Sequence, residues 1–166
     1  HEPFYETTAC YIELSLKRIT SLKSILEMWQ KDCEIDEMQL DEASRESAKL
    51  HGKYLELMSI NKLTLRRREA EFKVLLKNKW LHYNGKLSKQ EMDDLGWDYD
   101  PLGGLTVLKG DMDKFYDSDS VIQEAQSKIE YLEELDKTLK EILENIKWRH
   151  QNIKNMIEWR KFTSGA

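Results

Sequence analysis

The chain has 166 residues, 34% of them charged, a net charge of −5, and only seven Gly and two Pro. That composition favours long helices with polar faces over sheets joined by tight turns. No run approaches the roughly 20 apolar residues a bilayer span requires, and no basic stretch leads into an apolar one at the start. The expectation is an all-α protein of one domain or one extended helical unit, without a membrane partner and working in the cytoplasm.

Residues 1–11 show little periodicity. From Ile12 the apolar positions Ile12, Leu16, Ile19, Leu22, Ile25, Leu26 and Trp29 recur at helical spacing. Cys10 and Cys33 have neither metal-type spacing nor clustered His, so two reduced thiols are expected. The polar run at 32–47 follows, with Asp36 placed to cap a short helix and Gln39 three residues on. A long helix is predicted from about Ser47 to Tyr83. Gly52 weakens it by about 1 kcal/mol, and Asn84-Gly85 ends it.

Inside this helix lies the sharpest feature of the chain. The stretch Lys62–Lys79 holds seven Lys/Arg against Glu69 and Glu71, a local +5 in a protein that sums to −10 elsewhere. Lys62, Arg66, Lys73 and Lys77 fall within about 60° of one another, beside an apolar stripe of Tyr54, Met58, Leu65, Phe72, Leu76 and Tyr83. Arg67, Arg68 and Lys79 project elsewhere and broaden the positive field. Trp80 and Tyr83 follow at once. Cations for phosphates beside ring faces for unstacked bases are what a single-stranded nucleic acid requires. The plainer reading of a charge run is a solvated helix face, but two Glu neutralise few of seven cations.

After Tyr83, Ser88 and Glu91 form a capping box for a short helix. Gly96, Pro101, Gly103, Gly104 and Gly110 then break the chain into a carboxylate-rich loop, with a short extended piece at Leu105–Leu108. The run at 111–120 invites a calcium reading. Phe115 stands where a third oxygen ligand belongs, and the sixth position lacks the Gly that an EF-hand loop requires. An acidic linker is the better reading, and neither metal nor cofactor is expected.

From Ser120 to about Phe162 there is no Gly or Pro, and a heptad runs unbroken. One seam position takes Ile122, Ile129, Asp136, Leu143, His150 and Ile157, and the other Ala125, Leu132, Leu139, Ile146, Ile153 and Arg160. Such a helix must pack against the other long helix or against copies of itself. Tyr131, Leu135, Ile142 and Met156 widen the stripe, which suggests more than one neighbour. Ile129, Leu132, Leu139, Leu143, Ile146, Ile153 and Ile157 are the expected oligomerisation residues. Trp148-Arg149-His150 and Glu158-Trp159-Arg160-Lys161-Phe162 form an aromatic-basic cluster of small net charge, for which packing is the default. No phosphate loop, nucleophile elbow or metal-protease motif occurs, and His1, His51, His82 and His150 lie far apart, so no enzyme is expected.

Three stretches are more specific: ILEMWQKDCEID at 25–36, LRRREAEFKVLLKNKWLHYNGKL at 65–87 and IKNMIEWRKFTSGA at 153–166. In these the chain resembles the UvsY-like recombination mediator proteins of T-even-like bacteriophages, most specifically in the basic helix. The resemblance implies a non-catalytic homo-oligomer, closed into a ring, in the host cytoplasm. It would bind single-stranded DNA, associate with a single-strand-binding protein, and help load a RecA-like recombinase in its place. It also implies DNA contacts at Lys77 and Lys79, with Lys73 a turn earlier. Residues 1–23 have no counterpart in the resemblance. The chain thus divides into an extension at 1–24, a DNA-binding helical region at 25–119 and an oligomerisation helix at 120–166. The rival reading is a structural coiled-coil adaptor whose basic stripe docks an acidic protein, such as the carboxylates at 91–119 of a neighbouring copy.

Overall fold

A computed structural model describes residues 21–165. The predicted helical positions Ile12, Leu16 and Ile19, and Cys10, lie outside the described residues. Five helices make up the regular structure among those residues: α1 (Leu22–Asp32), α2 (Leu40–Tyr83), α3 (Lys89–Leu95), α4 (Met112–Ser118) and α5 (Ser120–Thr163). The all-α class with two long helices is as expected, and α5 matches its predicted span. The start of α2 does not. It begins at Leu40, seven residues before Ser47, and no separate short helix lies between α1 and it. The Asp36 carboxylate instead accepts the Met38 amide at 2.9 Å and closes a turn. The first α2 bond follows at once, from the Ala43 amide to the Gln39 carbonyl at 3.0 Å. Asp41 and Glu42 in the first turn suit the positive end of the helix dipole.

The chain forms two compact units, one of residues 21–63 with 133–165 and one of residues 64–132. In the first, α1 and the opening half of α2 pack on the closing part of α5. Their core is Ile25, Tyr54, Leu57, Leu135, Leu139, Ile142, Leu143 and Ile146, with a second cluster of Leu40, Ala43 and Ile153. Burying side chains of this size contributes roughly 1.5–3 kcal/mol each. Trp29 meets Tyr54 edge-on, with ring centroids 5.5 Å apart. The Tyr54 hydroxyl donates to Asp32 at 2.9 Å, and the Lys53 ammonium reaches the same oxygen at 2.6 Å. Burial, then the Asp32 bond and charge, push the Tyr54 hydroxyl well above its ordinary value.

This packing corrects the heptad register. The buried face of α5 runs through Leu135, Leu139, Ile142, Ile146, Arg149 and Ile153, in steps of four and three. His150 is exposed, Ile157 is at the surface, and only Leu139, Leu143, Ile146 and Ile153 of the expected seam are buried in this unit. Those four are taken up by packing inside the chain. The α1–α2 turn supplies the physical reason. Arg149 donates to the carbonyls of Cys33 at 3.0 Å and Glu34 at 2.9 Å, and Arg160 donates to the carbonyl of Glu37. These carbonyls have no helical partner, and the arginines rotate α5 so that the face bearing Arg149 points inward.

Replacing Arg149 with Ala removes charge-assisted bonds to two carbonyls at the end of α1. Thermal or urea unfolding is expected to show a loss of about 1.5–3 kcal/mol. His150→Ala, at the exposed neighbour, is expected to melt within about 0.5 kcal/mol of the parent.

Candidate nucleic-acid interface

The second unit carries residues 64–83 of α2, then α3, the loop, α4 and the opening of α5. Helix α2 stops as expected at Asn84-Gly85. The Lys86 amide returns to the Leu81 carbonyl at 2.8 Å, which requires the left-handed Gly85 at φ 65°. Ser88 accepts the Glu91 amide at 3.2 Å while its own amide donates to the Glu91 carboxylate at 2.8 Å, completing the predicted capping box. Leu105–Leu108 lies outside any helix or strand, and α4 was not anticipated.

On α2, Arg66, Lys73 and Lys77 are exposed, and none has an ion-pair partner among the described residues. Trp80 follows within about 60° of them, three residues after Lys77, and is 40% exposed. The Lys86 ammonium sits 4.5 Å from its ring centroid. Cations and an aromatic face thus share one surface. Arg67 and Arg68 both turn toward Glu71, at 4.0 and 3.1 Å, so their charge is partly neutralised locally. Lys62 belongs to the first unit, where it is exposed.

Lys79 departs from the expectation. It is only 4% exposed, and its ammonium lies 3.0 Å from the Asp119 carboxylate and 4.0 Å from the Trp97 ring centroid. A cation so enclosed is not presented to a phosphate in this structure, because its charge is already matched. Tyr83 is half-buried and joins the same knot. Its hydroxyl donates to Asp119 at 2.7 Å, and its ring lies 5.7 Å from that of Phe115. His82 completes the knot, with its Nε2 2.6 Å from the Asp98 carbonyl and its ring 5.1 Å from Trp97. Since a carbonyl only accepts, Nε2 carries the proton there.

Asp119 has both oxygens engaged. One takes Lys79 and Tyr83. The other accepts the Val121 and Ile122 amides at 2.9 and 3.0 Å, capping α5. Burial pushes its carboxyl up, but the Tyr83 hydroxyl, the Ile122 amide and Lys79 more than offset this and hold it below the usual carboxylate range. Burial, then the Asp119 bond and charge, drive the Tyr83 hydroxyl well above its ordinary value.

Sequence reasoning missed Asp119, Trp97 and Lys86. An Asp just before a long gap-free helix is a cap signal, and Lys86 follows directly on the Asn84-Gly85 stop. Among the described residues no helix is long and apolar enough to cross a membrane, and no group of ligating side chains could hold a metal ion.

The profile of a family described as "Recombination, repair and ssDNA binding protein UvsY" matches residues 28–166. The chain belongs to the UvsY family. Its fold is similar to two crystal structures of the bacteriophage T4 recombination mediator protein UvsY. The lattice type II structure gives a TM-score of 0.73 at 24% identity, covering 86% of this chain and 97% of that one. The lattice type I structure gives 0.72 at 25% identity, covering 83% and 97%. A search of curated protein sequences gives no match.

Asp119 binds no proton in the fold until the pH falls below its unfolded value, about 3.9. The stability it contributes is therefore complete above that value and is lost as pH drops through its lowered folded one. Asp119→Ala leaves the Lys79 charge buried and unpaired. Urea titrations are expected to show a loss of about 3–5 kcal/mol near neutrality and a shallower acid limb than the parent's.

Proposed function

We propose that this member of the UvsY family is a recombination mediator that binds single-stranded DNA as a homo-oligomer. It helps load a RecA-like recombinase in place of single-strand-binding protein, in the cytoplasm of an infected host. The observation that carries the reading is the exposed row Arg66, Lys73, Lys77 and Trp80, with no carboxylate paired to its cations among the described residues. Cations aligned with a ring fit a flexible strand, whose phosphates and bases are both accessible. Arg67 and Arg68 supply a weaker surrounding field, while Lys79 and Tyr83 hold the end of the helix in place. The adaptor reading needs cations matched by acidic groups. Lys79 alone shows the buried form of that matching, and it does so within the chain.

Arg66→Ala, Lys73→Ala and Lys77→Ala together are expected to reduce the slope of log affinity against log salt by about 2, from 0.7 for each lost phosphate contact. Fluorescence anisotropy of a labelled oligonucleotide across a salt series measures it. An unaltered slope removes these residues from the interface.

Self-assembly is assigned to surface left uncovered in the first unit. Trp148, Ile157, Trp159 and Phe162 on α5 are all exposed, with Trp159 and Phe162 stacked at 5.8 Å. Trp159→Glu with Phe162→Glu is expected to lower the particle mass in light scattering while circular dichroism keeps the parent's helix content. Retention of the parent's mass would place the subunit contact elsewhere.

A further inference from the structure

The loop of the second unit is fastened to α2 at its two ends. At its start, the Asp98 carbonyl is held by His82. At its finish, Tyr116 donates to the Leu76 carbonyl at 3.3 Å and Asp119 is held by Lys79 and Tyr83. These anchors lie on the last turns of α2, between Leu76 and Tyr83, overlapping the end of the cation row. Between them, Leu105 and Leu108 are 79% and 69% exposed. The amides of Thr106, Val107 and Leu108 make no backbone hydrogen bond among the described residues. Gly103, Gly104 and Gly110, all at positive φ, bracket the segment and separate it from the neighbouring turns. Asp98 and Asp100 precede it, Asp111 and Asp113 follow it, and Lys109 is the one cation among them.

Surface loops ordinarily expose polar side chains. Here two large exposed leucines flank three successive amides without a backbone partner, while the Leu105 amide and the Leu108 carbonyl are taken up by the turns on either side. An unpaired run of amides and carbonyls of this kind is a template for pairing with a sheet edge, the main chain supplying affinity and alternate side chains specificity. A second copy of this chain offers no such edge, since all regular structure among the described residues is helical. Nucleic acid is repelled by the flanking carboxylates. We infer that residues 105–108 dock as an added strand on a sheet edge of a partner protein whose rim is cationic. This deepens the proposed function and rests on it, because the partner it selects is the recombinase. The loop is anchored on the helix that carries the strand-binding row, so a protein held at its tip is delivered beside the strand.

The test measures three affinities of the full chain: for purified cognate recombinase and for single-strand-binding protein by surface plasmon resonance, and for an oligonucleotide by anisotropy. Leu105→Asp with Leu108→Asp is expected to weaken recombinase binding at least tenfold. Binding of the other two is expected to stay within twofold of the parent, with an unchanged melting curve. Val107→Pro removes one amide donor while keeping an apolar side chain, and is expected to weaken recombinase binding at least fivefold. Parental recombinase affinity in the Asp variant overturns the docking site. Loss in that variant with full binding by Val107→Pro overturns strand addition, and equal loss toward single-strand-binding protein overturns the choice of partner. A parent chain that binds no recombinase at all refutes the functional reading itself, a different outcome from a binding parent with unaffected variants.

Discussion

Asp119 is the residue on which the second unit depends. Its two oxygens terminate the loop, begin α5, neutralise Lys79 and orient Tyr83. A buried carboxylate is tolerated only when its lone pairs are filled, and four donors fill them here. The pair with Lys79 is also closed by the Trp97 ring, which replaces part of the hydration the ammonium has lost. Hydrophobic residues of similar volume would satisfy the same space without this desolvation. They would not fix the register between the end of α2 and the start of α5, because apolar contact is non-directional. An ion pair with three further hydrogen bonds accepts one arrangement.

The first unit solves the same problem with backbone groups. The end of α1 and the turn after it leave carbonyls without helical partners, and α5 answers them with Arg149 and Arg160. A guanidinium presents a planar fork, so Arg149 reaches two adjacent carbonyls at once. Apolar contact around Leu139 and Ile146 is non-directional, whereas the arginine fork accepts one arrangement. Directional contacts therefore set the helix rotation in both units, and apolar burial supplies most of the driving force.

Long helices were legible in the sequence because periodicity over dozens of residues is a strong signal, and so were the stops at Gly85 and Gly96 and the Ser88 cap. The opening of α2 was not. Its first two turns read as polar, and only Leu40 and Ala43, packed with Ile153, reveal the buried side. In the packing within the chain, one edge of the heptad stripe is shifted by one position for a related cause. An unbroken repeat fixes the period of a stripe, but the partners waiting inside the chain fix which edge of a broad stripe turns inward. Lys79 carried a readable warning. It lies seven residues after Phe72 and three after Leu76, on the half-buried side of α2, away from the Arg66–Lys77 row. A cation at a core-facing position needs a counter-ion, and the next region offers many carboxylates. Which carboxylate it finds depends on the path of a glycine-broken loop, and no local pattern encodes that.

The division of labour among the cations has a consequence for the proposed activity. A net charge of −5 repels a nucleic acid at long range, so a strand is held only where positive groups stand locally unmatched. With Lys79 internal and Arg67 and Arg68 sharing Glu71, that region narrows to a few side chains and one ring. Each chain then grips a strand weakly. Under the proposed function the strand must be yielded to a recombinase, and weakness per chain would then be an advantage, since each contact exchanges rapidly. Firm binding can come from repetition: linked weak sites gain roughly 10² to 10⁴ in avidity with no new contact. On that proposal, an assembly of such chains would hold the strand as a whole while releasing it one segment at a time. A single tight site has no comparable way to hand over its cargo.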